Sequence, residues 1–97
     1  NPREYTVSAD YAIDGGANDD LRLQIVKYDA SAAAEVVEAT QARQVNNFSG
    51  GRDVAFFNML AHVQIDEGDY IFMKVANISD TTNVTAELDS FFIVQQR

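Results

Sequence analysis

From residue 4 to residue 13 polar and apolar side chains alternate: Tyr5, Val7, Ala9, Tyr11 and Ile13 share one parity, and Glu4, Thr6, Ser8 and Asp10 share the other. Successive side chains of an extended chain point to opposite faces, so a period of two marks a half-buried strand and rules out an amphipathic helix, whose apolar positions recur at about 3.6. The same rhythm returns over residues 21–28, where Leu23 and Ile25 face in and Arg22 and Gln24 face out. It returns again over residues 54–65, with Phe57, Met59, Ala61, Val63 and Ile65 opposite Phe56, Asn58, Leu60, His62 and Gln64. Residues 70–77 set Ile71, Met73 and Val75 against Tyr70, Phe72 and Lys74. Residues 84–95 set Leu88, Ser90, Phe92 and Val94 against Phe91 and Ile93.

Residues 30–44 carry two signals. Ala32, Ala33, Ala34, Glu35 and Glu38 favour a short helix, whereas the β-branched Val36 and Val37 and the period-two spacing of Val37, Ala39 and Val45 favour a strand over residues 35–45. The strand is preferred. Between the runs lie turn-forming segments: Asp14-Gly15-Gly16-Ala17-Asn18-Asp19-Asp20, the loop of residues 46–53 with Gly50-Gly51, the tight turn Asp66-Glu67-Gly68-Asp69, and residues 78–83. The turn at 66–69 is expected to join its flanking runs as a hairpin. Six short strands in one chain of 97 residues predict a single all-β domain, an antiparallel β-sandwich.

In a two-layer sandwich each strand keeps one wet face. The first two runs obey this rule. The later runs do not: Phe56 and Leu60, Tyr70 and Phe72, and the two-sided Phe91-Phe92-Ile93-Val94 leave apolar area that one core cannot use. Several such side chains on neighbouring strands form the kind of patch that marks an interface. Two covers are open for it, contact with other subunits or strands preceding Asn1, and the first is preferred. With no cysteine, and with a core limited by 97 residues, association is also the remaining way to add buried area.

Composition narrows the partners. Fifteen acidic residues against seven basic ones give a formal charge of −8, which repels phosphate backbones and anionic lipid headgroups. Nucleic acid is not expected as a partner. Nor is membrane insertion, because no apolar run approaches the roughly 18 residues a spanning helix needs. Catalysis is not expected either: there is no cysteine nucleophile, and the single histidine, His62, has no triad partner that spacing identifies. No cofactor is expected. Hard oxygen ligands do crowd two turns. Asp14, Asn18, Asp19 and Asp20 are the better candidates for a bound calcium ion, ahead of Asp66, Glu67 and Asp69, although neither set has the helix-loop-helix calcium spacing. Asn47-Phe48-Ser49, Asn77-Ile78-Ser79 and Asn83-Val84-Thr85 fit the glycosylation acceptor pattern, which bears only on a eukaryotic secretory route.

The run Asn58-Met59-Leu60-Ala61-His62-Val63-Gln64-Ile65-Asp66-Glu67-Gly68-Asp69-Tyr70-Ile71-Phe72-Met73-Lys74-Val75-Ala76 resembles part of the globular heads of complement and of tumour-necrosis-factor-like ligands. Those trimeric jelly rolls carry a strand, an acidic Gly-Asp turn and a second alternating strand, and they end on a strand like Leu88-Asp89-Ser90-Phe91-Phe92-Ile93-Val94. Tyr5-Thr6-Val7-Ser8-Ala9 falls where the family has an early aromatic strand. The resemblance implies a jelly-roll topology with its first strands upstream of Asn1, this chain being the C-terminal part of a longer one. It also implies a homotrimer whose axis is lined by Phe56, Tyr70, Phe72, Phe91 and Ile93.

The acidic, cysteine-free style, with phrases such as Thr81-Thr82-Asn83-Val84-Thr85, is similar to that of tailed-phage virion proteins. The expected function is that of a virion structural protein, a homotrimer decorating or projecting from a capsid or forming a tail-fibre tip. Its partners would be the major capsid protein or another virion protein, and a host surface receptor. The alternative is a secreted, extracellular receptor- or carbohydrate-binding module of the same fold, with calcium as a candidate cofactor.

Overall fold

The computed structural model of the chain describes residues 3–16, 18–48, 52–87 and 90–97. Two antiparallel sheets pack face to face. Strands β1 (Glu4–Asp14), β4 (Asn46–Phe48), β5 (Arg52–Gln64), β7 (Thr85–Ala86) and β8 (Phe91–Gln96) form sheet A, in the order β4-β5-β1, with β7 and β8 both paired to the far side of β1. Strands β2 (Asp20–Asp29), β3 (Ala34–Gln44) and β6 (Tyr70–Asn77) form sheet B, in the order β3-β2-β6. The expected antiparallel β-sandwich is present. A jelly roll, with two Greek keys in eight strands, is a finer description that this strand order does not by itself define.

The alternating runs become strands because each has an apolar parity to bury. Val7, Ala9 and Ile13 of β1 and Ala55, Phe57, Met59, Ala61 and Val63 of β5 meet Leu21, Leu23 and Ile25 of β2 in one core, with Val45 at its end. Full burial of a side chain such as Phe57 or Leu23 contributes about 1.5–3 kcal/mol. Tyr11, Ile71 and Met73 pack at the margin of this core. The segment with two signals is strand β3, which pairs with β2 along its length and carries a bulge where Glu38 has no partner between Val37 and Ala39.

Two boundaries and one pairing differ from expectation. The last run is divided into β7 and β8, and the loop expected at 46–53 contributes β4, which pairs Asn46 with Val54 and Phe48 with Arg52. Gly50, Gly51 and Ser49, together with Leu88 of the expected last strand, lie outside the described residues.

The third difference is topological. Residues 54–65 and 70–77 do not form a hairpin, because β5 pairs with β1 and β6 pairs with β2, in opposite sheets. Alternation reports which face of a strand is buried but not which strand lies beside it. The turn between them is an arch over the end of the sandwich. Ile65 N donates to Arg3 O at 2.8 Å, prolonging the β1–β5 ladder. Asp69 then ties the arch to sheet B: its Oδ2 accepts from Asp66 N at 3.0 Å and its Oδ1 from Ala30 N at 2.8 Å. Gly68 has φ +89°, a left-handed conformation that glycine adopts without steric cost.

The two long sides of the sandwich differ. On one, β3 lies against β5, and Gln41 Oε1 accepts from Asn58 N at 3.1 Å across the gap between the sheets. On the other, β6 and β8 make no comparable contact. Inward-facing Val75, Phe92 and Val94 there remain 39%, 38% and 41% exposed.

Candidate functional site

The outer face of sheet A has a graded relief. Its middle strand, β1, presents Thr6, Ser8, Asp10 and Ala12. In register on either side stand Leu60 and Ile93 across Ser8, and Asn58 and Phe91 across Asp10, with Phe56 opposite Ala12. The result is a shallow trough between two ridges. Leu60 is 61% exposed, Phe56 55%, Ile93 51% and Phe91 49%. A depression of about 230 Å³ lined by Asp10, Tyr11, Ala12 and Phe56 opens at one end. It is smaller than the roughly 300–1,000 Å³ that ligand pockets occupy. Burial pushes the Tyr11 hydroxyl pKa up from its ordinary value. At the other end His62 is exposed on the same face, its Nδ1 3.2 Å from Thr6 Oγ1.

The outer face of sheet B carries a different cluster. Tyr28 and Tyr70 stack with ring centroids 4.9 Å apart at 15°, and Phe72 lies 6.0 Å from Tyr70. Val26, in register with Phe72 and Val37, is 1% exposed although it stands outside the main core. Lys74 on β6 reaches Glu35 on β3 at 3.1 Å, spanning the strand between them. Both partners are about half exposed, so the ion pair adds little stability.

The five residues expected around one axis therefore divide. Phe56, Phe91 and Ile93 stand on the outer face of sheet A, while Tyr70 and Phe72 stand on the outer face of sheet B, with the core between them. A single axis meets one group or the other. The sequence set Phe92 and Val94 opposite Phe91 and Ile93 without saying which pair faces in; their pairing with Ala9 and Val7 turns them inward, and their exposure follows from the open side of the sandwich. The signal available for it was the absence of a polar parity in residues 91–94.

The acidic turn after β1 gives its four candidate ligands different surroundings. Among the described residues no group of three histidine, cysteine or acidic side chains converges as a metal site. Asp14 closes β1, opposite Val54 and Thr85. Asn18 is exposed with φ +64°, and Asp20 opens β2 with its amide donating to Ser79 Oγ at 2.7 Å. Asp19 alone is buried, and Asn77 Nδ2 donates to its Oδ2 at 3.0 Å.

Asn77 is the centre of this end of the molecule. Its Nδ2 also lies 3.0 Å from Asp80 Oδ1 and 3.1 Å from Thr82 O. Its Oδ1 accepts from the amides of Ser79 and Asp80 at 2.9 and 3.2 Å. The amide of Thr82, donating to Asp80 Oδ1 at 2.8 Å, leads the contacts that hold the Asp80 carboxyl below its ordinary pKa. The carboxylates of Asp19 and Asp80 thus share an amide donor, and this network involves Asp19 alone of the four residues expected around a cation. Two acidic residues of the other turn are also engaged, Asp66 with Arg3 at 3.2 Å and Asp69 in the arch.

These features define an antiparallel β-sandwich with apolar side chains displayed on its outer faces and along one open side. In comparison with known proteins, no protein-family model matches the chain and no curated protein matches it.

Proposed function

We propose that the chain is a structural module of a virion, decorating or projecting from a capsid or tail fibre, and that it works by packing against copies of itself. The observation that carries this reading is β8, whose two faces are both apolar and both open: Phe91 and Ile93 outward, Phe92 and Val94 inward, each between 38% and 51% exposed. Leu60 extends the same surface across β1. A contiguous apolar surface of this kind on a small domain is normally covered by another protein. The fold-level resemblance and the acidic, cysteine-free composition point the reading towards a virion.

Sedimentation velocity at micromolar concentration tests the self-packing part. A self-associated species is expected, and a monomer throughout that range overturns it. Gene order tests the virion part: capsid, portal or tail genes are expected alongside, and a neighbourhood of secretion genes would move the module to the extracellular alternative.

A further inference from the structure

The backbone of β8 has a direction as well as its side chains. Arg97 N donates to Glu4 O at 2.9 Å, so the residue after β8 turns its polar backbone groups towards β1. Hydrogen-bonded and non-bonded pairs alternate along an antiparallel ladder. Residues 91, 93 and 95 therefore direct their backbone groups to β1, and Phe92 and Val94 direct theirs away from it, to an edge of sheet A that pairs with no other strand among the described residues. The two residues with outward amides are also the two whose inward side chains lie bare on the open side.

An edge strand that stays solitary is usually guarded by a charge, a proline or a bulge. β8 has none of these: its sequence is Phe91-Phe92-Ile93-Val94-Gln95-Gln96, paired regularly with β1. It is also an uncharged stretch in a chain of net charge −8. Two copies can therefore meet through it without placing acidic side chains of β8 against each other.

We infer that two copies of the chain join through the free edges of β8, antiparallel across a two-fold axis perpendicular to the sheets, so that sheet A runs on from one copy into the next. A two-fold axis makes the paired strands antiparallel without further adjustment. The β6 edges, on the same open side, then face each other across the same axis, and Val75, Phe92 and Val94 of both copies are enclosed between the extended sheets. This inference rests on the self-packing reading and specifies its geometry: a pair built on an edge, in place of a trimer built on a face.

Hydrogen exchange with sedimentation tests it on the chain itself. A dimer is expected, with the amides of both Ile93 and Phe92 protected, the first by β1 and the second by the partner strand. Val94→Pro removes an outward donor while leaving the β1 ladder intact. It is expected to give a monomer in which Ile93 stays protected and Phe92 exchanges freely. Val94→Lys keeps the amide and adds an inward-pointing charge at the edge, and should dissociate the pair in the same way. Leu60→Glu, on the outer face, should leave the dimer in place. A dimer or trimer that survives both Val94 variants, or one lost on Leu60→Glu alone, overturns the edge geometry and leaves self-packing standing. A monomeric parent chain overturns both.

Discussion

Asn77 shows how one side chain can organise an end of a sandwich. The two N–H groups of its carboxamide are shared among two carboxylates and a carbonyl, and its oxygen accepts from two amides, tying the end of β6 to the turn before β2. Asn77→Ala leaves the buried Asp19 carboxylate without that donor, a loss of about 1–3 kcal/mol. Equilibrium urea unfolding should show it as a lower midpoint at unchanged slope. Close approach adds to the constraint, since a methyl group on Gly16 would collide with the Asp19 carboxylate.

The same network has a pH signature. The Asp80 pKa is lower in the folded chain than in the unfolded one, so the unfolded state binds more protons in acid. Its contribution is present above the ordinary carboxylate range and fades as pH falls through the depressed folded value. Urea midpoints should fall below about pH 4, and Asp80→Asn should shrink that fall. An identical acid profile in Asp80→Asn would contradict the assignment. The sequence showed the carboxylates of this turn but not their ownership, because Asn77 and Asp80 lie about sixty positions further along the chain and only the fold brings them to Asp19.

Among the elements, β1, β2 and β5 were legible because each turns one parity to the core, and their alternation survives at most positions. Legibility fails where a strand's surroundings break that rule. In β3, Val36 and Val37 are 40% and 52% exposed, and the bulge at Glu38 changes the parity midway. In β6, the pattern gave the correct inward face, but the arch at 66–69 looked like a hairpin because its turn chemistry is the same whether it connects neighbours or crosses between sheets. The grouping of the interface candidates drew on that hairpin. Tyr70 and Phe72 were grouped with Phe56 through the supposed hairpin, and the pairing of β6 with β2 carries them to the opposite face.

At the scale of the whole molecule, the charge of −8 opposes any meeting of identical copies. The Debye length falls from about 30 Å at 0.01 M ionic strength to about 8 Å at 0.15 M. Screening should weaken this repulsion, while an apolar, backbone-paired contact loses little. Self-association is therefore expected to tighten as NaCl rises over that range, read as a growing dimer fraction in sedimentation. An interface held by ion pairs would respond in the opposite direction.

The antiparallel register of β1 with β8 sets Tyr5 opposite Gln96, so the chain enters and leaves the sandwich at the same end. A pull on the chain ahead of β1 against the chain behind β8 would load their shared ladder from that end and open it one pair at a time, like a zip. Strands drawn past each other would instead share the load among all their pairs at once. A domain threaded in this way is mechanically soft as a link within a tensioned filament. It withstands force better when that force reaches it through its surface than when it is pulled between its two ends.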